Sequence, residues 1–325
     1  MWVRWDAGWY RAIAQEGYYY STAEQSSVVY FPLYPLLMRG LAAAGVNVFI
    51  AGILTTVACG TSAVVLFRKW AQGLADGATA RLAFWVLILW PFAFFLYGAI
   101  YSDALFLLLV VAAFFALERD RVWVATLCGA LATLTRPIAP AVVAGLLVRQ
   151  LELRRRAGAP WRPRDFAPVL AGSGAAAYCT YLGVRFGNPL AFLSAQAGWA
   201  QTPGTAWLHK FSLTASTLGS SHPEDALIPL FNLSVTLALV AASFALPRKW
   251  GWGYAVYSWI ALAMPLLASR DFIGLGRYSI AAFPCFLVWG VWLGPHPVAR
   301  RGWFVASAAL LALMVSKFAM GRYVS

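Results

Sequence analysis

Long apolar runs alternate with short polar knots along most of the chain. The runs at 47–67, 82–97, 100–117, 166–183, 226–246, 251–268, 278–294 and 302–318 read as helices. They are continuous, unlike the alternating strands of about ten residues that build barrels. Residues 122–148 form one more long run, broken by Thr135-Arg136-Pro137. Loop parity favours two short spans meeting at Arg136-Pro137, each of about 13 residues or ~20 Å. Helices that short are tolerable where they line a cavity and do not face lipid. The predicted fold is all-α and polytopic, with about nine or ten transmembrane helices.

The first 45 residues follow another pattern. Residues 5–20 contain no spanning segment, and 1–30 lack the features of a signal peptide. Trp5, Trp9 and Ile13 recur at i, i+4, i+8, which predicts a short helix in the membrane interface with its rings at headgroup depth. Residues 31–45 are apolar but hold Pro32, Pro35 and Arg39, which predicts a second interfacial or re-entrant piece. Residues 184–225 read as a long polar connection, and loops that long are usually functional. The chain is therefore one domain, 1–325, in four parts. These are a catalytic interfacial loop at 1–45, a helix group at 47–183, the loop at 184–225, and a C-terminal helix group at 226–325.

Composition narrows the class. The 325 residues are 61% hydrophobic and 11% charged, against about 25% charged in soluble domains. The net charge of +13 is explained by membrane topology, so nucleic acid is not an expected partner. The segments 68–81, 118–121, 149–165, 247–250 and 295–301 together hold 15 of the 25 Lys and Arg residues. The positive-inside rule puts these loops in the cytoplasm. Asp6, Asp103, Arg136, the 184–225 loop and Ser269-Arg270-Asp271 then share the outer face. Abundant Ala and an excess of Arg over Lys point to a bacterial plasma membrane. Cys59, Cys128, Cys179 and Cys285 lie in apolar runs without CxxC spacing and read as core residues.

Several polar groups stand out against this background. Asp6 is a carboxylate among aromatic rings, where partial burial would raise its basicity and suit a general base. Trp5, Trp9, Tyr10, Tyr34, Tyr101 and Tyr278 offer faces on which a sugar ring can lie. Asp103 follows Tyr101-Ser102 at the end of two spans. Arg136 interrupts an apolar run, at a cost of at least ~2.5 kcal/mol on insertion scales, and could hold a phosphate. Arg270 and Arg277 flank Gly274-Leu275-Gly276 and could clamp one too. The bland alternatives are an aromatic belt with one solvated acid, an ordinary polar turn at Asp103, a snorkelling Arg136, and a solvated turn in which Asp271 pairs with either arginine. His209 and His222 lack a metal-ligand spacing such as HExxH, although both could join Asp or Glu around a divalent metal. No Walker A, GxGxxG or GxSxG motif is present. With no soluble domain for a nucleotide sugar, a lipid-phosphate sugar already in the membrane is the expected donor.

Trp5-Asp6-Ala7-Gly8-Trp9-Tyr10, Ile13-Ala14, Gly17-Tyr18 and Phe31-Pro32-Leu33-Tyr34-Pro35 resemble the PIG-V type mannosyltransferases. These are GT-C membrane glycosyltransferases related to the enzyme that adds the second mannose of the GPI anchor. Tyr101-Ser102-Asp103 resembles the family's Tyr-Ser-Glu segment, with Asp in place of Glu. Thr135-Arg136-Pro137, Arg277-Tyr278 and Phe283-Pro284 are similar to later segments. The resemblance implies a polyprenyl-phosphate sugar donor, a glycan or lipid acceptor, an inverting transfer on the non-cytoplasmic face, and Asp6 as its base. It also implies a partner subunit in some members. A membrane helix normally precedes the first loop, and four residues precede Trp5 here, so a start upstream of Met1 is expected. A transporter or flippase is the rival reading, since intramembrane Arg and Pro breaks suit one as well. A structural subunit with a vestigial acid is a third.

Overall fold

The computed structural model describes residues 2–199, 206–219, 226–269 and 271–324, and among them every regular element is a helix. The first half carries α1 (Asp6–Glu16), α2 (Leu33–Ala43), α3 (Val48–Gln72), α4 (Gly77–Ile88), α5 (Asp103–Leu117), α6 (Val122–Thr133), α7 (Ala139–Arg156) and α8 (Ser173–Phe186). The second carries α9 (Ala191–Ser194), α10 (Ala206–Leu218), α11 (Leu227–Ser243), α12 (Leu246–Lys249), α13 (Trp252–Ala268), α14 (Leu275–Ser279), α15 (Pro284–Leu293) and α16 (Pro297–Ala319). Among the described residues, three stretches are by length and composition long and apolar enough to cross a membrane: Val48–Gln72, Leu227–Lys249 and Pro297–Ala319. Five shorter apolar helices accompany them: α4, α5, α6, α13 and α15.

The core is built around α5. Its sequence is apolar on every side, and it packs against α3, α6 and α7, with only Leu108, Leu109, Ala112 and Phe115 of its apolar residues left partly buried. Its 15 residues span about 22 Å at 1.5 Å per residue. Asp103 opens it, and Glu118 follows its last turn. α13 crosses α7 where both lack side chains. A Cβ on Gly253 would stand 2.6 Å from the Arg149 Cα, and one on Gly145 would stand 2.4 Å from the Tyr257 Cβ. Small residues of this kind let backbones approach closely where lipid offers no hydrophobic drive.

Several predicted boundaries are corrected. The run 82–97 is not one helix: α4 ends at Ile88, and a 3-10 turn at Ala93–Leu96 follows Pro91, which has no N–H to continue the ladder. The run 166–183 starts as a 3-10 helix, Pro163–Gly172, with Pro168 inside it, before α8 begins. Residues 184–225 are not an irregular connection, because α9, a 3-10 turn at Ala195–Trp199 and α10 lie within it. The run 278–294 is divided between α14 and α15. The break between α6 and α7 does fall at residues 134–138, around Arg136-Pro137.

α1 and α2 form the two short N-terminal pieces. The face of α1 buried in the protein is Ala7, Tyr10, Ile13 and Ala14, which shares only Ile13 with the Trp5-Trp9-Ile13 stripe. Trp5 is 46% exposed and lies just before the first turn. Arg39 of α2 donates from Nε to the Ala14 carbonyl at 2.7 Å and from Nη2 to that of Ile13 at 2.9 Å. A cation thus bonds carbonyls at the negative end of α1 and fixes that helix on α2.

Candidate active site

Asp6 is the first residue of α1, and Asp103 is the first of α5. Each carboxylate sits at the positive end of its helix, where negative charge is stabilised. Trp5, just before α1, holds φ 50 and ψ −111, a conformation that costs a residue with a Cβ about 1–3 kcal/mol. That strain turns the chain so that Asp6 faces inward.

Arg277, on α14, donates from Nη1 to Asp6 Oδ2 at 2.9 Å. The Tyr30 hydroxyl donates to Asp6 Oδ1 at 3.1 Å, and the Asp6 backbone N–H points at the Tyr101 hydroxyl at 3.4 Å. Burial, and then the adjacent Asp6 carboxylate, hold the Tyr30 phenol well above its ordinary pKa, so it remains a donor. Arg277 is only 6% exposed. Its Nη2 donates to the Tyr278 hydroxyl at 2.9 Å, and its buried Nε–H has no partner. The guanidinium lies over the rings of Tyr101 and Tyr278, 4.8 and 4.7 Å from their centroids.

A second pair adjoins the first. Arg136 donates from Nη1 to Asp103 Oδ1, and its guanidinium lies 5.0 Å from the centroid of the same Tyr278 ring. Tyr278 therefore stands between two arginines. The Tyr10 hydroxyl donates to Ser102 Oγ at 2.9 Å and ties α1 to the start of α5. Trp9 stacks on Tyr30, with centroids 5.9 Å apart and planes 17° from parallel, and Trp199 leans on both rings.

Of the residues singled out in the sequence, Asp6, Tyr10, Tyr101, Asp103, Arg136, Arg277 and Tyr278 converge here. Trp9 stands on the rim through Tyr30. Trp5 turns away toward Tyr323. Tyr34 is fully buried beneath α1, its hydroxyl bonded to Gly52 O and Thr56 Oγ1. Arg270, His222, Glu224 and Asp225 lie outside the described residues. His209 is exposed on α10, and among the described residues no three His, Cys, Asp or Glu side chains gather to hold a metal ion. A cavity of about 460 Å³ lined by Arg81, Trp85, Arg300 and Phe304 lies between α4 and α16, apart from these groups.

Sequence reading missed Tyr30 and Trp199. Tyr30 carried a signal, since it immediately precedes the Phe31-Pro32 motif. Trp199 carried none, because only the folding of α8 and α9 back over residues 18–31 brings it to Trp9.

Residues 2–153 match the family model described as Mannosyltransferase (PIG-V). Over that stretch the chain carries the PIG-V family pattern. No curated protein matches the chain significantly. The PIG-V match and the apolar helices support a membrane mannosyltransferase. Asp6, Tyr30, Tyr101, Asp103 and Arg136 fall inside the matched PIG-V stretch, and Arg277 and Tyr278 fall beyond it.

Proposed function

We propose that the chain transfers mannose from a polyprenyl-phosphate donor to a hydroxyl of a glycan, lipid or protein acceptor, with inversion, at the non-cytoplasmic face of a bacterial plasma membrane. The observation that carries this reading is the Asp6–Arg277 pair. A carboxylate in the family-matched loop is joined to a buried arginine that still has an unpartnered N–H. The clustering of basic residues in the opposite loops supports the sidedness.

The chemistry follows from those groups. The donor phosphate takes the N–H groups of Arg277, with Arg136 beside it, and so releases Asp6 Oδ2. The acceptor hydroxyl gives its proton to Asp6 while its oxygen bonds to the anomeric carbon from the side opposite the phosphate. The anomeric carbon–oxygen bond breaks, and its electron pair leaves on the phosphate oxygen. The arginines hold that charge in a site shielded from water, where it counts most. Phosphate is a good leaving group and needs no general acid. Tyr30 holds Asp6 Oδ1, which orients the other oxygen toward the acceptor. Trp9, Tyr30 and Trp199 form the aromatic wall on which an acceptor sugar would rest. No metal is required in this scheme.

Purified protein, polyprenyl-phosphate-mannose and a glycan acceptor test the reading. Asp6→Asn is expected to lose transfer by about 10²–10⁴-fold with unchanged melting, the range for a general base. Full activity in that variant removes Asp6 from the role.

A further inference from the structure

Both partners of the Asp6–Arg277 pair are held from one place. α16 ends at Ala319, and the residues after it fold back against the site. Arg4 donates from Nη2 to the Ala319 carbonyl at 3.0 Å. The ring of Tyr323 meets Trp5 edge-on, with centroids 5.0 Å apart, at the strained residue that aims Asp6.

The same segment also reaches the arginine. Val324 is fully buried, and its carbonyl accepts from Nδ2 of Asn232 on α11 at 3.2 Å. Nδ2 also donates to the Ile228 carbonyl at 3.0 Å. Oδ1 of Asn232 accepts from the backbone N–H of Gly276 at 2.9 Å, one residue before Arg277. Asn232 itself is 0% exposed. Phe318, in the last turn of α16, packs on Phe95 and Tyr101, the rings over which the Arg277 guanidinium lies.

A buried amide in an apolar helix is retained at a cost unless every group on it is bonded. Here its bonds join three segments distant in sequence: α11, α14 and the residues after α16. We infer that Asn232 and Tyr323 are positioning residues, which clamp the segment after α16 against α14 and Trp5 and thereby set the distance between Asp6 and Arg277. The inference rests on the reading of that pair as base and phosphate ligand. Asn232 and Tyr323 touch neither substrate, and they act through Gly276 and Trp5. A backbone shift of about 1 Å at either point is enough to cost a reaction of this kind 10²-fold.

Two readouts test it, one independent of activity. A cysteine at Val324→Cys is modified by a water-soluble maleimide, with the chain lacking that substitution as the blank. It should react slowly on the Asn232 background and about tenfold faster with Asn232→Ala, since local opening sets labelling rate. Mannosyl transfer per folded molecule should fall about 10–100-fold in kcat in Asn232→Ala and Tyr323→Ala, with donor KM nearly unchanged, the pattern of a transition-state loss. Tyr323→Phe keeps the ring contact with Trp5 and should restore kcat. The clamp is overturned if Val324→Cys reacts equally fast on both backgrounds, or if kcat per folded molecule is parental in both Ala variants. Should Asn232→Ala not fold, Tyr323→Ala against Tyr323→Phe decides by the same kcat comparison. Failure of the underlying reading looks different: Asp6→Asn stays active while the labelling difference persists.

Discussion

The two ends of α5 hold the same kinds of residue and use them differently. At its start, Asp103 meets Arg136, with Asp6, Arg277 and Tyr278 alongside. At its end, Glu118 meets Arg149, with Glu152, Tyr254, Trp70 and Trp250 alongside. Both clusters are largely buried and pair carboxylates with arginines under aromatic rings. Their bonding separates them. Arg149 binds Glu118 through Nε at 2.7 Å and Nη2 at 3.0 Å, and its Nη1 reaches the Trp250 carbonyl at 2.8 Å. Glu118 also accepts from the Tyr254 hydroxyl at 2.6 Å, and that hydroxyl accepts from Trp70 Nε1 at 3.0 Å. Every nitrogen of Arg149 is engaged, and the glycine crossing of α7 and α13 leaves no room for a ligand. Arg277, by contrast, keeps a buried Nε–H without a partner. Leaving such a group unsatisfied costs roughly 1–3 kcal/mol, which an arriving anion can recover. A saturated arginine acts as a bolt, whereas one with spare hydrogen-bonding capacity can serve as a binding group.

Substitutions can break or sharpen that contrast. The largest expected effect is the loss of turnover in Asp6→Asn, about 10²–10⁴-fold with the melting temperature kept. An equal fall in melting temperature would make the Asp6 end structural as well. Next is Arg149→Met, which strands Glu118 in the interior. Thermal unfolding in detergent should show a loss of about 3–5 kcal/mol, with transfer per folded molecule unchanged. A stable but inactive Arg149→Met would reverse the assignment of the two ends. Arg277→Lys keeps the charge and loses the planar fork. Donor KM should rise about tenfold, as expected for one charge-assisted hydrogen bond worth roughly 1.5 kcal/mol. An unchanged KM would place the donor phosphate elsewhere. The smallest effect belongs to Tyr10→Phe. Removing its bond to Ser102 should cost about 1 kcal/mol of stability, read from the same melts, and leave turnover near parental.

Much of this was legible in the chain, for identifiable reasons. The apolar runs gave the all-helical membrane class, because a backbone in lipid must satisfy its own hydrogen bonds. Pro137 beside Arg136 marked the break between α6 and α7, because proline removes a ladder donor. Pro91 and Pro168 carried the same signal, but it was hidden inside runs read as single helices. The buried face of α1 was not legible, because only α2 and α3 determine which side of a short, mildly amphipathic helix is covered. Tyr34 shows the same limit: its place in the Phe-Pro-Leu-Tyr-Pro motif suggested a substrate-facing ring, and packing put it in the core.

The sequence by itself determined the membrane class, the short N-terminal helix, and a short set of polar residues too costly to be accidental. It also carried the PIG-V pattern in its first half. Only the tertiary structure decided how those residues pair. Asp6 meets Arg277 across 271 positions, and Arg149 meets Glu118 on the neighbouring α5. Asn232, unremarkable in the sequence, joins α11 to α14 and to the segment after α16. Periodicity assigns a side chain to a face of its own helix. Which charge, ring or amide waits opposite that face depends on how distant helices pack.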